Sequence, residues 1–250
     1  MPPWIRDIRF TPVPRPLSQV TEVILHSTVG TTLEGAVRVL KIRKDPATGR
    51  PLGLSTHIII DAHGQAHLTA ELDTRALHCA SHNGVSVGID IVGPYYPDRS
   101  GLAPAPWSRV IQAPWAHRGR YVLPTLAQMV ALVDVLRYLT GPGPGGAIPC
   151  PSTFVGVVGD RFRLGLLDDA KRRRPGIWSH QQAGTHADGS WPALVAYLAM
   201  VQGLPVEDAY ETAARLAEGA RGWVALPSPS LVIASPALCP TCHQPMPGVA

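Results

Sequence analysis

The apolar run Val23-Ile24-Leu25 stops abruptly at His26-Ser27-Thr28. So short a run, bounded by polar residues, reads as a buried strand, and polar side chains at a strand end are well placed to form a site. Thr32 to Lys44 then carries Leu33, Ala36, Val37 and Leu40 at helical spacing, predicting the first helix. Ser55 to Ile60, the turn residues Asp61 to Gly64 and the return Gln65 to Leu68 predict a hairpin, and Val85 to Val92 a further strand. Thr125 as N-cap, with Leu126, Met129, Val130, Val133, Leu136 and Leu139 on one face and Gly141-Pro142 as the stop, predicts the longest helix. Gly176 to His180 reads as a short strand and Trp191 to Met200 as a closing helix. The order of elements predicts an α/β domain, a central mixed β-sheet flanked by helices.

The chain has 250 residues, enough to bury a sizeable core. Its 24 Gly and 26 Pro make up a fifth of it, so long ordered loops are expected, one near 94–124 and another near 141–175. The composition shifts beyond Gly203, first to an Ala- and Glu-rich helical stretch and then to a proline-rich tail. The predicted division is therefore a domain over 1–203 and an extension over 204–250. No apolar run reaches the 18 or so residues of a membrane span, and the N-terminus lacks the pattern of a secretory signal, so synthesis in the cytoplasm without membrane insertion is expected. With 22 Lys and Arg against 18 Asp and Glu, the charge suits an acidic polymer without choosing one. The four cysteines are too few and scattered for a disulfide framework. Cys239-x-x-Cys242-His243 matches a haem attachment site formally, or half a zinc ribbon.

Ten histidines against three phenylalanines make a metal site the first chemistry to test. The sharpest cluster is His180-Gln-Gln-Ala-Gly-Thr-His186-Ala-Asp188, two imidazoles and a carboxylate within nine residues. Catalytic zinc sites use three ligands drawn from His, Asp, Glu or Cys and keep a fourth position for water. His180 and Asp188 supply two; a distant strand must supply the third.

Four segments together resemble the zinc-dependent N-acetylmuramoyl-L-alanine amidases, a group that includes phage lysins, muropeptide-recycling amidases and peptidoglycan recognition proteins. They are ILHST at 24–28, STHIIID-x-HG at 55–64, HCASHNGVSVGIDIVG at 78–93 and GIWSH-x5-HAD at 176–188. The resemblance spans roughly residues 20 to 200 and rests on the order and spacing of all four. It implies the amidase and peptidoglycan-recognition-protein fold, a Zn²⁺ cofactor held by His26, His180 and Asp188, and hydrolysis of the amide between N-acetylmuramic acid and L-alanine.

In the family a Tyr before the second-motif histidine, or a Glu in the third-motif strand, stands near the reacting water. This chain has Thr56 and Asp90 there, so the role of base passes to Asp90. His186 falls where the family stabilises the transition state, and His78 and Asn83 in a segment bordering the substrate groove. His57, His63, His67 and His117 are expected to be structural. The resemblance implies peptidoglycan or muropeptides as partner. The rival readings are a non-catalytic peptidoglycan-binding module and, last, a basic nucleic-acid binder. The segments leave open whether the protein is a lysin, a recycling enzyme or an exported effector.

Overall fold

A computed structural model of the chain describes residues 13–44, 47–50, 52–116, 118–141, 146–168, 173–184 and 188–228. Along the chain the elements are β1 (Val13–Pro14), β2 (Glu22–Ser27), α1 (Leu33–Ile42), β3 (Ile58–Ile60), β4 (Ala66–Leu68), β5 (Thr74–Arg75), β6 (Ser86–Ile91), β7 (Val110–Gln112) and β8 (Arg120–Val122). There follow α2 (Leu126–Thr140), β9 (Val157–Val158), β10 (Arg161–Arg163), β11 (Gly176–Ser179), α3 (His180–Ala183), α4 (Ser190–Met200), α5 (Val206–Ala217) and β12 (Trp223–Ala225).

β2 and β6 are buried along their whole length, as their apolar runs demand. They form the centre of a five-stranded sheet of order β11-β2-β6-β3-β4. The first four strands of that order are parallel and β3–β4 is the antiparallel hairpin, so the sheet is mixed, as expected. Side chains alternate between its faces. Val23, Leu25, Ile58, Ile60, Val87, Ile89, Ile91 and Ile177 pack in one cluster with the apolar residues of α2, α4 and α5. On the other face Ile59 packs with Ala36 and Val37 of α1, and Ile24 with Trp178 and Cys79.

Helices α1 and α2, one on each face of the sheet, start where the sequence signals them. The Thr32 hydroxyl accepts from Gly35 N at 3.0 Å, and Thr125 and Gln128 form a reciprocal capping box. Gln128 also donates to Val92 O at 2.6 Å and accepts from the Trp107 indole at 3.1 Å, which ties the 94–124 insertion to the sheet. That insertion carries the β7–β8 hairpin and buries Trp107, Trp115 and Tyr121.

Residues 204–228 pack on the rest of the described chain: Ala209, Ala213, Ala214 and Ala217 of α5 belong to the main core cluster, and β12 pairs with β10. Trp115 Nε1 donates to Ala217 O at 2.9 Å, and the Tyr210 hydroxyl to Pro124 O at 3.0 Å. An Ala-rich helix looks like an extension in sequence, yet small side chains are what let it approach α4 closely. The Cys239, Cys242 and His243 motif lies outside the described residues. Among the described residues no helix is long and apolar enough to cross a membrane.

Candidate metal centre

Parallel register sets the site. His26 on β2 lies opposite Asp90 on β6, and Ser179, the last residue of β11, lies opposite Leu25, so His180 follows at the level of His26. Three strand ends therefore present His180, His26 and Asp90 side by side at the carboxyl edge of the sheet, the usual place for a site in an open α/β sheet. Ser179 caps the short α3 with its hydroxyl and turns the chain away directly after the strand.

Asp188 returns from that turn. Its Oδ2 accepts from Ser27 N at 3.1 Å, and its backbone carbonyl accepts from Gln181 N at 3.1 Å. The next residue, Gly189, has φ 80°, and a Cβ there would collide with the Leu25 carbonyl, so glycine is what allows the chain to fold Asp188 against β2.

Ligand atoms of His26, His180 and Asp188 all lie within 4.8 Å of one another. His180 Nδ1 is 3.1 Å from Asp188 Oδ1, and His26 Nδ1 is 4.0 Å from Asp188 Oδ2. Two imidazole nitrogens and a carboxylate form a donor set suited to a divalent metal of the zinc type. Among the described residues Asp188 Oδ1 is buried with no hydrogen-bond partner, although it faces His180 as a charge, which a cation at the centre of the trio would relieve. Burial pulls the His180 pKa down, but Asp188 and Asp90 outweigh it and leave the imidazole above its ordinary value.

The trio opens into a groove of about 540 Å³. Asp90, His78 and Tyr95 line it together with the apolar wall of α1. Burial pushes the Asp90 carboxyl up to about 6, with Thr56 pulling it back and Asp188 adding to the rise. At neutral pH Asp90 is thus still ionised, close to its titration range. Tyr95 is a groove residue that sequence reasoning missed. It arrives from the start of the 94–124 insertion, whose path no periodicity reveals.

The remaining sequence candidates separate. His78 reaches the site: its Nδ1 is 3.0 Å from His26 Nε2 and its Nε2 is 3.2 Å from Ser86 Oγ. Asn83 is buried beneath the groove rim, where its Oδ1 accepts from the backbone N–H groups of His78 and Cys79 at 2.9 and 2.6 Å. It shapes the loop that carries His78. His186 lies outside the described residues. His57 is fully buried, accepting from Gly88 N at Nδ1 and bonding Thr74 O through Nε2; burial depresses its pKa to about 3. A second buried pair, Glu22 Oε2 and His82 Nδ1 at 2.7 Å, ties the base of β2 to the same loop.

Together these features define an α/β protein with a candidate metal centre at the carboxyl ends of its parallel strands. A family model described as N-acetylmuramoyl-L-alanine amidase matches residues 16–188, and the chain belongs to that family. Among solved structures it is similar to the endolysin N-acetylmuramoyl-L-alanine amidase LysCS from Clostridium intestinale URNW, at 12% identity and TM-score 0.43 over 76% of this chain and 89% of that one. It is similar also to the Ph2119 endolysin from Thermus scotoductus MAT2119 bacteriophage Ph2119, at 13% identity and TM-score 0.41 over 82% and 90%. A third is peptidoglycan recognition protein-LE in complex with tracheal cytotoxin, at 14% identity and TM-score 0.41 over 72% and 79%. Comparison with curated proteins gives no match.

Proposed function

We propose that the protein hydrolyses the amide between the lactyl group of N-acetylmuramic acid and the L-alanine of the stem peptide, with a Zn²⁺ held by His26, His180 and Asp188. The observation that carries this reading is the convergence of those three donors beside Asp90, at the mouth of a groove, in a chain of the amidase family. A zinc ion held there supplies a Lewis acid that polarises the scissile carbonyl and activates water at neutral pH.

The chain's own residues supply the rest. Asp90, ionised and buried, accepts a proton from the attacking water and returns it to the leaving amine of L-alanine. His186, two residues before Asp188, donates a hydrogen bond to the developing oxyanion. His26, Asp90 and Asp188 are themselves buried, which strengthens the polar contacts among them relative to water.

Incubation with a soluble muropeptide will release stem peptide with a free L-alanine amine, detected by mass spectrometry. A chelator will stop release and added zinc will restore it. Retention of the muropeptide without cleavage, at full zinc occupancy, would make the protein a peptidoglycan-binding module instead. Asp90→Asn will keep its zinc and lose turnover by about 10² to 10⁴, the usual cost of removing a general acid or base. Unchanged turnover in that variant would move the proton transfer to another group.

A further inference from the structure

His78 belongs to a chain of polar contacts running from the loop of residues 78–85 to the candidate centre. The Ser86 hydroxyl donates to His82 O at 2.7 Å, so its one proton is already used. The contact between Ser86 Oγ and His78 Nε2 at 3.2 Å therefore has the imidazole as donor. A neutral His78 with its proton on Nε2 carries a bare Nδ1. Each ring nitrogen of His78 thus has one partner, Ser86 on one side and His26 on the other. The bare Nδ1 faces His26 Nε2 at 3.0 Å and accepts its proton. His26 is then the Nε2–H tautomer, and its lone pair lies on Nδ1, the nitrogen turned toward Asp188.

The fold makes room for this arrangement. A Cβ at residue 88 would come within 2.8 Å of the His78 ring, so Gly88 in the middle of β6 is the gap in which that ring sits. The ring stands edge-on to His26 and His57, with centroids 5.1 and 5.8 Å apart. His57 is pinned from the other side by Gly88 N. Asn83 holds the backbone of His78 itself.

We infer that His78 is a positioning residue: through the Ser86–His78–His26 chain it sets the tautomer and ring orientation that present His26 Nδ1 to the metal. This rests on the zinc reading above and replaces the expectation that His78 binds substrate. An imidazole ligand whose other nitrogen is anchored is a better and better-oriented donor, and losing such an anchor costs about 10- to 100-fold in metal affinity.

The test is zinc affinity, measured by competition with a chelating dye, together with a thermal melt of each variant. His78→Phe keeps a ring of similar size and removes the acceptor, so it will bind zinc about 10- to 100-fold more weakly than the wild type. His78→Asn places an amide oxygen near the position of Nδ1 and will recover part of the loss. Ser86→Ala, which frees the far end of the chain, will weaken zinc in the same direction and by less. A folded His78→Phe protein with wild-type affinity overturns the inference, as does a raised KM at unchanged zinc affinity, which would return His78 to the substrate. If His78→Phe does not fold, His78→Asn and Ser86→Ala decide: wild-type affinity in both overturns it. A wild-type protein that binds no zinc removes the underlying reading instead, an outcome distinct from any ranking among the variants.

Discussion

Asp188→Ala will fold, hold no zinc after dialysis, and lose at least about 10³ in muropeptide turnover, the scale of several kcal/mol of transition-state stabilisation. The contacts that place residue 188 survive the change in part. The carbonyl of residue 188 still accepts from Gln181 N, and Gly189 still makes the turn. What disappears is one of the three candidate ligands and the acceptor of Ser27 N. His26 and His180 then face each other with ring centroids 4.4 Å apart and no anion between them, which disfavours two imidazolium ions and leaves a two-nitrogen site with weak hold on a metal. Elemental analysis beside a melting curve checks this. A full equivalent of zinc in Asp188→Ala would remove the residue from the ligand set.

Truncation after Gly203 will not yield a folded protein. α5 covers α4 and α2 with four fully or nearly fully buried alanines, and Tyr210 meets the buried Trp191 edge-on at 5.0 Å. Removing it uncovers Trp191 of α4, takes Val224 of β12 from Phe162 of β10, and strands the Trp115 indole N–H that now bonds Ala217 O. Each large apolar side chain returned to water costs about 1.5–3 kcal/mol, so the sum reaches the whole stability of a typical domain, about 5–15 kcal/mol. Soluble yield and far-UV circular dichroism read the outcome. Ala213→Asp probes the same interface in the full chain: a carboxylate forced into that contact will lower the melting temperature sharply. A truncated protein with a wild-type melt would show that residues 204–228 are an extension after all.

These two results bear on what a single sequence discloses. β2 and β6 are legible because continuous apolar runs have few other ways to be buried, and the capping residues Thr32 and Thr125 mark helix starts by a local hydrogen bond. The small sheet β9-β10-β12 is not legible, since its strands hold two or three residues and Phe162 pairs with Val224 far along the chain. The composition change at 203 does not disclose the packing of α5 for a related reason: alanine content reports on helix propensity, whereas membership of a core depends on what the helix packs against.

The same distinction runs through the site. The spacing from His180 to Asp188 and the strand end at His26 are local features, and the structure brings those three side chains together. The role of His78 depends on which of its nitrogens meets which partner, and the approach of Tyr95 on the route of a long insertion; neither leaves a periodic trace.

Hydrolysis in ¹⁸O-water shows which bond the metal trio serves. Zinc-loaded protein and a soluble muropeptide will give one ¹⁸O atom in the lactyl carboxylate of the muramic acid product, an unlabelled stem peptide beginning at L-alanine, and neither product when a chelator is present. An intact muropeptide after prolonged incubation with fully zinc-loaded protein, or label appearing at a different bond, would contradict it.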